Sequence, residues 1–259
     1  MIQSRSPSQN SDPDTAPETA PPRPEAPLAA ASADRWWLLP AVLLAGFVLL
    51  LWQVKAHGPV TGLDIRVRDH IQDWATSPSM SWLAVPGRDL ANLGNQSIAL
   101  LALFAATAAA TRVTRSWWPT WVMFAAIAAL LTVIPLKLAI GRPGPGQITL
   151  GDAALGFFPS GHTADATLCY GTAALLLCAV VPLRRTTVTR RIARIHRAII
   201  AAAAVLVLLT IFGLLWSDYH WLSDTLASLC WCGAALAALR RLTLRLAHRP
   251  MYHSATVLL

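Results

Sequence analysis

The sequence predicts an all-α fold, an integral membrane bundle of six transmembrane helices, and three observations predict it. Of 259 residues, 55% are hydrophobic and 13% charged, with mean hydropathy +0.49, too apolar for an ordinary soluble domain. Uncharged stretches of about 18 or more residues recur, long enough to cross a ~30 Å hydrocarbon core at ~1.5 Å per helical residue. The arginines gather in short segments between those stretches, as in cytoplasmic loops.

Residues 1–34 mix Ser, Pro, Ala and acids with almost no large apolar side chains, so burial cannot offset their ordering entropy and a disordered cytoplasmic tail is expected. The membrane domain, residues 35–247, opens with a span near Trp36. The acidic, proline-rich tail in front of it argues against a cleaved signal, so this span is expected to be retained. Residues 57–92 interleave Asp64, Arg66, Arg68, Asp69, His70 and Asp73 with Ile65, Val67, Ile71 and Trp74. A short amphipathic helix on the outer surface fits, either sheltering a site or serving as a solvated connector.

Spans 2 and 3 begin near Gly94 and Trp117; they are rich in Ala and joined by a short loop carrying Arg112 and Arg115, a pattern for a close antiparallel hairpin. Span 3 ends in Ile134-Pro135-Leu136-Lys137, and a Gly/Pro-rich turn follows. Span 4 has its apolar body from Ala166, within a helix starting at Ser160. Span 5 begins near Ile199, and span 6 runs from Leu222 to Leu239 with one acid, Asp224, at its head. Residues 248–259 form a cytoplasmic C-terminal tail.

Arg184, Arg185, Arg190, Arg191, Arg194 and Arg197 fill one loop, and Arg240, Arg241, Arg245 and Arg249 lie toward the C terminus. With Arg112 and Arg115, they put both termini in the cytoplasm and the ends of spans 1, 3 and 5 outside. The net charge of +8 thus reads as membrane orientation, and no nucleic-acid partner is expected. Trp36, Trp37, Trp52, Trp117, Trp118, Trp216 and Trp221 fall near span ends and suggest an interfacial belt. Cys169, Cys178, Cys230 and Cys232 lie inside spans as small hydrophobes, and neither a disulfide framework nor a metal site is expected of them.

Polar residues converge at the outer ends. Lys137 and Arg142 are two cations able to meet an anion. In Pro159-Ser160-Gly161-His162, Ser160 caps a helix, Gly161 lets an anion approach the backbone, and His162 projects from the first turn. His220 and Asp224, spaced i,i+4, should share one helical face, with the carboxylate taking the Nδ1 proton and leaving Nε2 nucleophilic. Such a set meets the needs of phosphoryl transfer through a phosphohistidine.

In this order the residues resemble the type 2 phosphatidic acid phosphatase superfamily, lipid phosphate phosphatases related to vanadium-dependent haloperoxidases. The family pattern is Lys, six residues, Arg-Pro; then Pro-Ser-Gly-His; then Ser-Arg, five residues, His, three residues, Asp. Lys137 and Pro145 fit the first block, Pro159 to His162 match the second, and His220 and Asp224 match the end of the third. The first block's arginine falls on Gly144 and the third block's Ser-Arg on Gly213-Leu214.

The resemblance implies that His220 attacks phosphorus, Asp224 orients it, and His162 protonates the leaving group. Lys137, Ser160 and the Gly161 amide would hold the phosphoryl oxygens, with Arg142 as a substitute cation. No cofactor or metal is implied. The expected activity is a membrane lipid phosphatase acting on a phospholipid or polyprenyl phosphate at the outside of the plasma membrane, with membrane lipids as its surroundings. Phosphotransfer by the same site, or non-catalytic lipid-phosphate binding or transport, are the alternatives, and the oligomeric state is left open.

Overall fold

A backbone crossing hydrocarbon must satisfy its own hydrogen bonds, and apolar runs therefore fold as helices. The computed structural model describes residues 35–147, 155–181 and 189–247; the tails 1–34 and 248–259, with Arg184, Arg185 and Arg249, lie outside them. In chain order the α-helices are α1 (Leu38–Lys55), α2 (Pro59–Ala75), α3 (Ala84–Asn92), α4 (Gln96–Thr114), α5 (Trp118–Leu131), α6 (Val133–Ile140), α7 (Gly161–Val180), α8 (Thr189–Trp216) and α9 (Leu222–Ala247), with a 3₁₀ turn at Pro78–Leu83. Among the described residues, six segments are long and apolar enough to cross a membrane: α1, α4, the α5–α6 pair, α7, α8 and α9. The chain is an all-α integral membrane bundle.

Two boundaries differ from expectation. α8 begins ten residues before Ile199 and takes Arg190, Arg191, Arg194 and Arg197 into its first turns. α9 runs on through Arg240, Arg241 and Arg245 to Ala247. Arginine is a good helix former whose stem can lie along apolar surface while the head reaches water, so the helices continue past the hydrocarbon edge. At 28 residues, α8 is about 42 Å long.

α7 is the central helix. It packs on α4, α5, α8 and α9, and Ala164, Ala166, Leu168 and Cys169 are almost wholly enclosed. Its alanines admit close neighbours, as membrane packing requires. Span 3 is interrupted at Thr132 between α5 and α6; Pro135 has no N–H for the Leu131 carbonyl, and a break one turn earlier is the consequence. α6 then stops at Gly141, whose left-handed φ of 60° caps the helix while its N–H bonds Lys137 O at 3.0 Å.

The residue 57–92 connection forms α2, the 3₁₀ turn and α3. α2 packs on α1, α8 and α9, and α3 lies along α8. The tryptophans divide: Trp36, Trp37, Trp52 and Trp117 are exposed, Trp118 and Trp221 are half-buried, and Trp216 is buried. Trp216 is not part of a belt, because its ring fills the space beside Gly87 of α3. Lys55 Nζ donates to Ile140 O at 3.1 Å and Ser160 N–H to Asp224 O at 3.1 Å, so the ends of α1 and α6 meet, as do the starts of α7 and α9.

Candidate active site

The first amides of a helix have no partner within it. At the start of α9 two carboxylates take them: Asp224 Oδ2 accepts from Trp221 N–H at 3.2 Å, and Asp64 Oδ1 accepts from Ser223 N–H at 2.8 Å. Asp64 also accepts from the Ser223 hydroxyl. Both acids are buried, Asp64 to 2% exposure and Asp224 to 0%, and enclosed charges of one sign require a counter-ion.

Arg142 is that counter-ion. Its Nη2 donates to Asp64 Oδ2 at 2.7 Å, and its Nη1 to Asp224 Oδ1 at 2.6 Å and Ser223 Oγ at 2.7 Å. The guanidinium lies over the Trp221 ring, Cζ 5.3 Å from the centroid, and the indole N–H donates to Pro143 O at 3.0 Å. The cation assigned from sequence to the substrate therefore stands at the site but is turned toward protein carboxylates.

Asp224 Oδ2 also faces His220 Nδ1 at 3.3 Å. The spacing suggested a pair along one helical face; instead His220 precedes α9, in the turn after α8, and the Asp224 side chain folds back to it. Capping geometry rather than helical periodicity joins them. The tautomer that donates Nδ1–H to Asp224 carries its lone pair on Nε2. Phe157 stands edge-on to the imidazole, with centroids 5.5 Å apart.

The second histidine comes from α7. Ser160 Oγ accepts from Thr163 N–H at 3.3 Å and from its hydroxyl at 3.2 Å, the N-cap role its place in the sequence predicts. That leaves the Gly161 and His162 amides without a partner among the described residues. Lys137 reaches the same place: its Nζ donates to Gly156 O at 2.9 Å, and a Cβ on Gly161 would stand 3.5 Å from its Cε. The His162 and His220 rings are inclined at 65° with centroids 6.4 Å apart. Two rings so spaced can both reach a tetrahedral group between them, since reacting atoms meet at about 3–3.5 Å.

All seven sequence-predicted residues, His162, His220, Asp224, Lys137, Arg142, Ser160 and Gly161, thus lie at one end of the bundle. Asp64, Ser223 and Phe157 were not foreseen there. A signal for Asp64 existed: Asp64, Val67, Arg68 and Ile71 fall at i, i+3, i+4 and i+7 of α2, an inward face with charges on it. On that face Arg68 donates through Nε and Nη2 to Asp218 at 2.7 and 2.6 Å, and these bonds raise the guanidinium pKa above its ordinary value.

Both departures from the family pattern lie in close-packed surroundings, with a backbone clash at Gly213 and a side-chain contact at Gly144. A Cβ on Gly213 would lie 2.2 Å from Ala91 N, so α3 excludes a side chain there, and Leu214 is 0% exposed. A Cβ on Gly144 would meet the Phe157 ring at 2.8 Å.

Residues 118–247 match the PAP2 superfamily. The chain belongs to that superfamily. The matched region of this PAP2 protein starts at α5 and runs to the end of α9, so α2, with Asp64 and Arg68, falls outside it. Its fold is similar to the crystal structure of the first transmembrane PAP2 type phosphatidylglycerolphosphate phosphatase from Bacillus subtilis. That similarity has a TM-score of 0.64 at 20% identity and covers 78% of this chain and 94% of the other. No curated protein matches this PAP2 sequence.

Proposed function

We propose that this PAP2 protein is a membrane lipid phosphatase that works through a phosphohistidine on His220. The observation that carries the reading is the pair of imidazoles, His162 and His220, beside Lys137 and the first α7 amides, which have no partner among the described residues.

A terminal phosphoryl group lodges between the rings, its oxygens held by the Lys137 ammonium and the Gly161 and His162 amides, with the helix dipole of α7 adding to the attraction. His220 Nε2 attacks phosphorus in line with the ester oxygen. The N–P bond forms as the P–O bond to the lipid breaks, and His162 gives its proton to the departing alkoxide. Asp224 stabilises the charge that builds on His220, and Arg142 and Asp64 keep Asp224 in place. In the second step water loses a proton to His162, its oxygen bonds phosphorus, and the N–P bond breaks to release phosphate and restore both histidines.

Arginines of α4, α8 and α9 cluster at the bundle end opposite these residues, and the positive-inside rule then supports an extracytoplasmic site with both termini in the cytoplasm. Lipid phosphate enters from the outer leaflet of the plasma membrane. The chemistry requires no metal or cofactor.

The test is a rapid quench of purified protein with ³²P-labelled phosphatidic acid. An acid-labile, base-stable phosphoenzyme is expected, absent in His220→Ala, with inorganic phosphate as the product. Label passing to an added lipid or sugar alcohol would make the protein a transferase. Tight binding with neither phosphoenzyme nor turnover would make it a binder.

A further inference from the structure

The two arginine positions of the PAP2 pattern hold Gly144 and Leu214, and Arg142 is committed to Asp64 and Asp224. A guanidinium nevertheless reaches the site from another helix. Arg68 of α2 lines the same small cavity as His220, Trp221 and Asp218. Its Nη2 is 3.2 Å from where a Cβ on Gly146 would stand, so it borders the turn that carries the first-block position. Its Cζ lies 5.9 Å from the centroid of the Trp221 ring.

Arg68 is paired at a position that solvent can reach. Its partner Asp218 is 28% exposed and Arg68 30%, so both sides of the pair are open to solvent. Nη1 makes no hydrogen bond among the described residues. The planar fork that takes the Asp218 carboxylate takes a phosphate in the same way. Asp218 sits two residues before His220 in a left-handed conformation, φ 57°, so the pair stands beside the candidate nucleophile.

We propose that Arg68 and Asp218 form a second anion subsite that reads a second phosphate on the substrate, Arg68 binding it and Asp218 standing in for it when the site is empty. The proposal rests on the lipid phosphatase reading. It selects lipid phosphates that carry two phosphate groups: a lipid diphosphate, or a phosphomonoester attached through a phosphodiester. Phosphatidic acid, with one phosphate, leaves the subsite unused.

The test measures kcat and KM of full-length wild type, Arg68→Gln, Asp218→Asn and the double variant on farnesyl diphosphate, phosphatidylglycerophosphate and phosphatidic acid. Losing a bidentate charged contact should lower kcat/KM of Arg68→Gln about 10- to 100-fold, mainly through KM, on a two-phosphate substrate, with a much smaller loss on phosphatidic acid. Which of the two substrates suffers tells anhydride from diester. Asp218→Asn should lower KM for that substrate, and the gain should vanish in the double variant.

Equal losses on all three substrates, or an Asp218→Asn effect that persists without Arg68, would overturn the subsite. If Arg68→Gln does not fold, Arg68→Lys keeps the charge without the fork and should lose part of the selectivity; unaltered selectivity there counts against the proposal. Absence of turnover by wild type on every substrate would instead overturn the phosphatase reading itself.

Discussion

Asp64 of α2 and Asp224 of α9 grip opposite ends of one guanidinium, with Arg142 Nη2 at 2.7 Å from the first and Nη1 at 2.6 Å from the second. Both carboxylates are enclosed, so this triad ties an outer helix to the residue behind His220. Replacing Arg142 by Met strands two buried charges, whereas Asp64→Asn leaves a neutral Arg142–Asp224 pair. Unfolding in detergent should show a loss of about 3–5 kcal/mol for Arg142→Met. For Asp64→Asn the loss should be about 1–2 kcal/mol, that of a weakened hydrogen bond. Equal losses would mean that Arg142 is not the shared counter-ion.

His162 should matter in proportion to the leaving group. An alkoxide departing from a lipid needs a proton, while nitrophenolate does not. His162→Ala is expected to lower kcat on phosphatidic acid by about 10²–10⁴-fold, the usual range for a lost general acid, and to slow phosphoenzyme formation from nitrophenyl phosphate far less. The same loss on both substrates in that step would assign His162 to binding instead.

Gly161 tests the anion cradle. A Cβ there would stand 3.5 Å from Lys137 Cε and 4.0 Å from Nζ, ordinary contact distances, and alanine is a better helix former than glycine. Gly161→Ala should therefore fold at least as well as wild type yet occupy the space of a phosphoryl oxygen. We expect KM for phosphatidic acid to rise by about tenfold or more, roughly one charged hydrogen bond. An unchanged KM would move the phosphate away from α7.

Restoring the family's arginine at position 214 should fail. Leu214 is 0% exposed, and an unpaired buried guanidinium costs several kcal/mol. Leu214→Arg is expected to lower the unfolding temperature and the yield of folded protein. Higher activity at full stability would show that the packing around position 214 can give way.

Short-range chemistry is what a single chain displays most openly. The spans were readable because hydrocarbon forces backbone polar groups to pair locally, and Ser160 because an N-cap acts over three residues. His220 and Asp224 were readable as partners, though their meeting is made by a helix start rather than a helix face. Arg142 was readable as a cation at the site, but not as one already engaged.

The triad itself joins residues far apart in the chain. No local periodicity tells Asp64 that Ser223, Arg142 and Asp224 will lie against it; that follows from α2 packing on α8 and α9. The PAP2 membership and the six-helix class were therefore set by hydropathy and motifs within short windows. That Arg142 is engaged by Asp64 and Asp224 was decided by packing, because a charge finds its counter-ion through space and not along the chain.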